Sequence, residues 1–368
     1  MMNGMFGDKV QSSRRGCGFI FIPPRDESRC YCRISPPGHQ IKVSAYARKK
    51  GEGETRFPDK NLLMVTSMKN QISMGFVGFG EAGFELARGL HSAGTSPIYA
   101  CDKTPDPARS LWLKSRAREA GAIYLESIGE VVNKAEIILS VVPPEASLAA
   151  AQEAALQLRP GKMYLDLTSS FPEDMKTLSA LIEPTGARFV DGAMMGALPI
   201  FGHKVLIYVS SPHAEEVARL LNQRGMNLQT VGKEPGQASA IKLILSISTK
   251  GLEALLLEML LAAHPYEVEE QVLLAFNQFF VKGPEAMINR FVGSDAVHSG
   301  RRAKEMESSV RLLKSLGVDP IMTEATVQRL KWSASLGLSE YFKGISPEGY
   351  KEVIKAWENI GLFPKHRG

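Results

Sequence analysis

The sequence predicts an α/β protein, a doubly wound sheet followed by an all-helical C-terminal domain, and three observations carry that expectation. Short apolar runs alternate with helical spacing from residue 72 to about 235. A glycine-rich turn at 78–83 follows the first of those runs. After about Gly236 the short runs stop, and a long apolar stretch spans 240–263. The composition agrees, since 44% hydrophobic and 23% charged residues describe a globular chain. No uncharged apolar run reaches the roughly 18 residues of a membrane-spanning helix, so no membrane partner is expected.

Residues 72–77 read as a short buried strand, and 81–92 as a helix through Leu86, Ala87 and Leu90 that stops at Gly94. The run 98–101 is the second strand. Residues 128–135 read as helix, 137–142 as a strand ending at Pro143-Pro144, 146–158 as helix and 162–168 as strand. Helix 172–182, strands 187–191 and 205–209, and helix 213–223 complete this half. Helical segments follow near 266–281, 297–316 and 320–340, the second with Met306, Val310 and Leu313 on one stripe.

Residues 1–67 differ in kind. They hold Pro23-Pro24, Pro36-Pro37, the Arg48-Lys49-Lys50 cluster and three of the four cysteines, without a sustained apolar period. Such a stretch is expected to be a disordered basic extension, or sequence upstream of a start at Met68 or Met74. The apolar core at 18–22 is too short for a secretory signal. A transit peptide stays open, with Asp8, Asp26 and Glu27 against it, and the body is expected to be cytoplasmic. Residues 1–73 carry 13 basic and 6 acidic side chains, whereas 74–368 carry 31 and 33. The basic charge thus belongs to the leader, and a nucleic-acid partner loses its compositional support. Four cysteines make no disulfide scaffold, and the seven scattered histidines predict no metal site.

Gly78-Phe79-Gly80-Glu81-Ala82-Gly83 fits the dinucleotide fingerprint of a Rossmann-type sheet. Gly78 permits the tight turn, Gly80 lets the backbone approach a pyrophosphate, and Gly83 lets helix and strand pack closely. The helix amides then face the phosphates. Asp102 follows nineteen residues after Gly83, at a strand end, where a carboxylate accepts from the ribose hydroxyls and favours NAD over NADP. Lys103 beside it weakens that preference. A glycine turn that binds nothing is the bland alternative, and the strand–turn–helix context argues against it. Lys242 is the second signal, the only charge between Glu234 and Lys250. The helix alone leaves two readings open: a lysine tuned for proton transfer by burial, or one that snorkels to solvent.

From about residue 72 the chain resembles the β-hydroxyacid dehydrogenase superfamily, which includes 3-hydroxyisobutyrate and 6-phosphogluconate dehydrogenases. Four further blocks match in order after the glycine fingerprint. Val141-Val142-Pro143-Pro144 resembles the loop beside the nicotinamide, and Asp166-Leu167-Thr168-Ser169-Ser170-Phe171-Pro172 the family's Asp-x-Ser-Thr-x-x-Pro. Phe189 to Ala197 stands where the family has its substrate-binding Asp-Ala-Pro-Val-Ser-Gly-Gly, and Gly236-Gln237-Ala238 with Lys242 resembles the glycine and catalytic lysine of the interdomain helix. Two departures stand out: Met195-Gly196-Ala197 replaces Ser-Gly-Gly, and Ser246 replaces an Asn that orients substrate. The C-terminal half, with Thr249-Lys250-Gly251, Glu258, Arg301 and Arg302, is similar to the NAD-dependent, 6-phosphogluconate dehydrogenase-like branch.

The resemblance implies a homodimeric NAD-dependent oxidoreductase acting on a small hydroxyacid or a phosphorylated sugar acid, with Lys242 as acid/base and decarboxylation left open. Gly78 to Gly83, Asp102, Val142 and Pro143 would hold NAD. Thr168, Met195, Gly196, Ala197 and Ser246 would line the substrate cleft, and Arg301 and Arg302 would meet a carboxylate or phosphate. The implied division is 68–235 for the dinucleotide-binding domain and 236–368 for the helical substrate and dimerisation domain. The rivals are an imine reductase-like enzyme, against which Lys242 argues, and a catalytically silent NAD-binding protein.

Overall fold

The computed structural model describes residues 72–104 and 106–363, and by internal contacts the chain divides into Met1–Met68 and Lys69–Gly368. The sheet and the helices of the described residues belong to the second unit; the expected basic extension, 1–67, lies outside the described residues. The strands are β1 (Met74–Val77), β2 (Ile98–Cys101), β3 (Ile123–Tyr124), β4 (Ile137–Ser140), β5 (Met163–Asp166), β6 (Arg188–Met194), β7 (Leu206–Ser210) and β8 (Asn227–Gly232). They form one sheet in the order β3-β2-β1-β4-β5-β6-β7-β8. Neighbours run parallel except β6 and β7, so a doubly wound, Rossmann-type sheet is what this sequence folds into. The order reverses between β1 and β4, which opens a crevice at their carboxyl ends.

Both sheet faces are covered, which is why β1, β4 and β5 are buried at every position. Leu86 and Leu90 of α1 (Glu81–Ser92), Leu113 of α2 (Pro107–Glu119) and Val217 and Leu221 of α7 (Ala214–Asn222) share one core. On the opposite face lie α3 (Ile128–Lys134), α4 (Ser147–Ala155) and α5 (Pro172–Ile182), through Val131, Ala151, Met175 and Leu178. The short α6 (Leu198–Phe201) links β6 to β7.

The rest is helical: α8 (Gln237–Ala263), α9 (Glu269–Asn277), α10 (Pro284–Ser315), α11 (Ile321–Ser335), α12 (Leu338–Tyr341) and α13 (Tyr350–Asn359). A small core of Ala296, Leu338, Val353 and Ala356 joins α10, α12 and α13. No helix among the described residues is long and apolar enough to cross a membrane.

Some elements lie beyond the apolar pattern. The α2 sequence carries five charged residues among thirteen, with only Leu113 and Ala117 buried, and β8 buries only Leu228. Antiparallel pairing with β7 carries β6 on to Met194, three residues past the expected strand end. The helix expected to start near 297 begins at Pro284, a residue suited to a first helical turn.

Candidate active site

The turn from β1 into α1 uses its three glycines in three different ways. Gly78 has φ +91°, and a Cβ there would lie 2.9 Å from the Val141 carbonyl group. A Cβ on Gly83 would meet the Gly78 carbonyl oxygen at 2.5 Å, so only glycine lets α1 start this close to the turn. Gly80, by contrast, faces open space, with nothing within 4 Å of a Cβ. No side chain caps the amino end of α1. Its free amides and the clear space at Gly80 form the cradle that a pyrophosphate requires, and the chain fits a dinucleotide there.

The crevice is a cavity of about 680 Å³. It gathers Gly78, Gly80, Glu81, Ala82, Asp102, Val142 and Pro143 on one wall system, seven of the expected cofactor residues. Phe79 and Gly83 stand behind it: the Phe79 ring is buried in the core, and its amide donates to Asp102 Oδ2 at 2.6 Å. The motif reading did not single out Cys101, Arg109, Ser127 or Glu153, which also line the cavity. Lys103 reaches Glu153 at 3.4 Å, and Arg109 lies over the Trp112 ring. Burial, with the neighbouring Asp102 charge adding to it, pushes the Cys101 thiol up to about 12, so the thiol stays protonated and inert. Cys101 and Arg109 lie close in sequence to Asp102 and the start of α2, whereas Ser127 and Glu153 are brought to the cavity only by the fold.

Two buried carboxylates stand on adjacent strands. Asp166 ends β5 and is the register partner of Asp191 on β6. Asp166 accepts from Ser147 Oγ at 2.9 Å, the Thr168 amide at 2.9 Å and Thr168 Oγ1 at 2.5 Å. Thr168 Oγ1 also lies 2.8 Å from Ser170 Oγ, so the loop is held as one piece. Burial pushes the Asp166 carboxyl up, against the lowering effect of those hydrogen bonds. Asp191 accepts from Ser210, Gly236 and Ser239 at the head of α8.

Lys242 is half-buried one turn further along α8. Burial first, and the Lys250 charge second, hold its ammonium below the ordinary lysine range. Among the described residues no carboxylate pairs with it. Ser246, one turn on, donates its hydroxyl to the Lys242 carbonyl at 3.0 Å. Met195 is half-buried with its amide bonded to Leu206, while Gly196 and Ala197 are exposed beyond β6. The two arginines on α10 separate in character. Arg301 is ion-paired with Glu305 on the surface, whereas Arg302 is half-buried and donates to Ser294 Oγ at 2.8 Å. Among the described residues no hydrogen bond or ion pair joins either arginine to Thr168, Gly196 or Lys242. Glu258, another marker of the C-terminal half, is buried as a cap on α11, accepting from the Met322 and Thr323 amides. No group of three metal-ligating side chains occurs among the described residues.

Comparisons with known proteins agree with this architecture. Residues 73–232 match the NAD binding domain of 6-phosphogluconate dehydrogenase, and residues 263–333 match a domain of unknown function, DUF1932. The chain is 24% identical over 305 residues to glyoxylate/succinic semialdehyde reductase 2 of Arabidopsis thaliana, covering 77% of this chain and 79% of that one. It is 28% identical over 195 residues to the mitochondrial 3-hydroxyisobutyrate dehydrogenase of Bos taurus, covering 50% of this chain and 56% of that one. Among solved structures, a conserved hypothetical protein from Sinorhizobium meliloti is 31% identical, with TM-score 0.50 over 79% of this chain and 97% of that one. An imine reductase from Pseudomonas sp. shares the fold at 18% identity, with TM-score 0.60 over 75% of this chain and 99% of that one. With the NAD-binding domain of 6-phosphogluconate dehydrogenase over 73–232 and hydroxyacid dehydrogenase-like relatives, the chain belongs to the β-hydroxyacid dehydrogenase superfamily.

Proposed function

We propose that the protein is an NAD-dependent oxidoreductase that oxidises the hydroxyl of a hydroxyacid, with Lys242 as general base in that direction and general acid in the reverse. The observation that carries the reading is the state of Lys242: half-buried, free of any carboxylate partner among the described residues, and held below the ordinary lysine range by burial. A structural lysine at a helix edge is expected to keep its ammonium in water or paired.

A bound nicotinamide supplies the acceptor for the hydride. The chain's own residues do the rest. Gly78, Gly80 and the first amides of α1 seat the pyrophosphate, and Asp102 accepts from the ribose while repelling a 2′-phosphate. Val142 and Pro143 wall the nicotinamide end of the crevice. Lys242 Nζ takes the hydroxyl proton, and Thr168 orients the substrate from its fixed loop. Where the product is a β-keto acid, the Lys242 ammonium then polarises the ketone and assists loss of carbon dioxide. Arg301 is engaged by Glu305 whereas Arg302 donates only to a neutral hydroxyl, so Arg302 is the cation we assign to a carboxylate or phosphate.

In this reading 68–235 bind the cofactor, while 236–368 shape the substrate site and form a homodimer. The case for a dimer is α8 itself, where Ile244 and Ile247 are 65% and 74% exposed. A neutral body whose one described cysteine is free and buried suits the cytoplasm.

The test is a panel followed by absorbance of the reduced cofactor. 3-Hydroxyisobutyrate and 6-phosphogluconate are offered with NAD or NADP, glyoxylate and succinic semialdehyde with the reduced forms, and a cyclic imine with NADPH. Oxidation of a hydroxyacid, or reduction of an oxo acid, supports the proposal. Turnover of the imine alone replaces it with imine reduction. Tight cofactor binding without turnover replaces it with a silent binding protein.

A further inference from the structure

The helix that carries Lys242 starts without a cap of its own. Gly236, at its N-cap, is left-handed at φ 98° and offers no side chain. A Cβ there would lie 2.6 Å from the Pro172 carbonyl oxygen, so the start of α8 is wedged against the start of α5. The amides of Gly236, Ala238 and Ser239 go to the sheet instead. Asp191 Oδ2 accepts from the Gly236 amide at 2.9 Å and the Ser239 amide at 3.1 Å, and Oδ1 accepts from Ser239 Oγ at 2.6 Å. Ser210 Oγ on β7 donates to Asp191 Oδ2 at 2.9 Å and accepts the Ala238 amide at 3.0 Å. Four donors converge on one carboxylate with no solvent exposure, which fills its acceptor capacity.

What lies beyond that grip is unusual for a helix of 27 residues. Between Ser239 and Glu258 no residue of α8 is buried. Within this chain the helix is therefore held at two places, and Lys242 stands three residues past the first of them. A turn of helix rises only about 5 Å, so a change of angle or register at Ser239 passes directly to Lys242.

We propose that Asp191 is a positioning residue for Lys242, acting through the first turn of α8. The proposal rests on the reading of Lys242 as acid/base. Asp191 touches no substrate or cofactor atom; it fixes the direction in which the Lys242 side chain leaves the helix. A carboxylate suits this task because all four incoming groups are donors, and because negative charge is favoured at a helix amino end. Asparagine offers one acceptor oxygen and turns an NH2 against donors. The neighbouring strand repeats the device: Asp166, register partner of Asp191, holds Thr168. Two adjacent buried carboxylates thus hold both the Thr168 loop and the Lys242 helix.

The test compares wild type with Asp191→Asn and Ser239→Ala, each saturated with NADH. Amines are acetylated with limiting sulfo-N-hydroxysuccinimide acetate, and the labelling of Lys242 relative to Lys250 is read by peptide mass spectrometry. Both variants are expected to change that ratio at least threefold while NADH affinity stays within twofold. With a compound that wild type turns over, kcat is expected to fall about tenfold at unchanged KM for cofactor, the scale on which small misplacements act. Variants that melt at lower temperature but keep the wild-type labelling ratio overturn the proposal, since a purely structural role moves only stability. If Asp191→Asn does not fold, Ser239→Ala decides alone, because alanine keeps the helix and deletes the bond to Oδ1. Lys242→Met is run in parallel. Normal turnover by that variant overturns the acid/base reading, while the labelling ratio still judges the placement.

Discussion

Asp102 Oδ2 accepts the Phe79 amide at 2.6 Å, so the acid that follows β2 also holds the turn that leads out of β1. One carboxylate thereby shapes the glycine turn and lines the crevice where the proposed reading puts the ribose. Its backbone is fixed too, since Tyr124 Oη donates to the Asp102 carbonyl at 3.1 Å.

Asp102→Ser is therefore expected to do two things. It removes the ribose acceptor and the repulsion of a 2′-phosphate, which lowers NAD affinity and raises NADP affinity. It also frees the Phe79 amide and loosens the glycine turn, so the gain for NADP is smaller than the loss for NAD. Titration of both cofactors checks this. A wild type that already prefers NADP would shift attention to Lys103 and Arg109, the two cations of the cavity.

The glycines separate folding from binding. Gly80→Ala meets nothing within 4 Å, so its melting temperature is expected to stay within about a degree of wild type while the methyl occupies the pyrophosphate's space. Gly83→Ala pushes a methyl to 2.5 Å from the Gly78 carbonyl and is expected to cost about 1–3 kcal/mol of stability. Calorimetry and NADH fluorescence on the pair distinguish the roles. Equal losses of stability in both variants would mean that Gly80 is structural.

The fold was legible where burial writes a pattern. Strands such as Ile137–Ser140, buried at every position, leave an apolar run that sequence alone reveals. Helix α2 was illegible because only two of its thirteen residues are buried. The glycine turn was legible because close approach demands glycine, whereas Arg109 and Glu153 reach the crevice from separate helices that only the tertiary fold brings together. Glu258 shows the limit of reading chemistry from position. It stands in the same apolar helix as Lys242, yet its partners are the amides of α11, some sixty-five residues away in the chain. The Asp191 network was invisible for the same reason: each of its hydrogen bonds spans 19 to 48 residues.

The exposed stripe of α8 predicts assembly. Ile244, Ile247, Leu257 and Leu261 are all more than half exposed, a costly arrangement for apolar side chains on a free surface. A second copy of the chain is the proposed cover. Wild type is expected to be a dimer by light scattering, and Ile244→Asp with Ile247→Asp to be a monomer that still binds NADH. A monomeric wild type would remove the proposed dimer and leave the cofactor site untouched.

Lys242 gives the sharpest forecast. Methionine keeps the apolar stem and most of the length, so Lys242→Met is expected to fold and to bind NADH normally. Its kcat is expected to fall by about 10²–10⁴, the range of general acid–base catalysis. The pH dependence follows from the direction of the shift. Burial, and then Lys250, lower the proton affinity of Lys242, so the neutral amine is populated at a lower pH than for an ordinary lysine. Oxidation needs that neutral amine, and its rate is expected to rise with pH through the lowered value and then level off. Reduction needs the ammonium and is expected to fall across the same interval. Both limbs disappear in Lys242→Met. Lys250→Gln removes the second cause of the shift, so its limbs are expected to move to higher pH with little change in the plateau rate. Rate profiles of the three proteins in both directions check the set. A Lys242→Met enzyme with near-normal kcat and wild-type limbs would leave the family and the cofactor site standing and assign the proton transfer to another group.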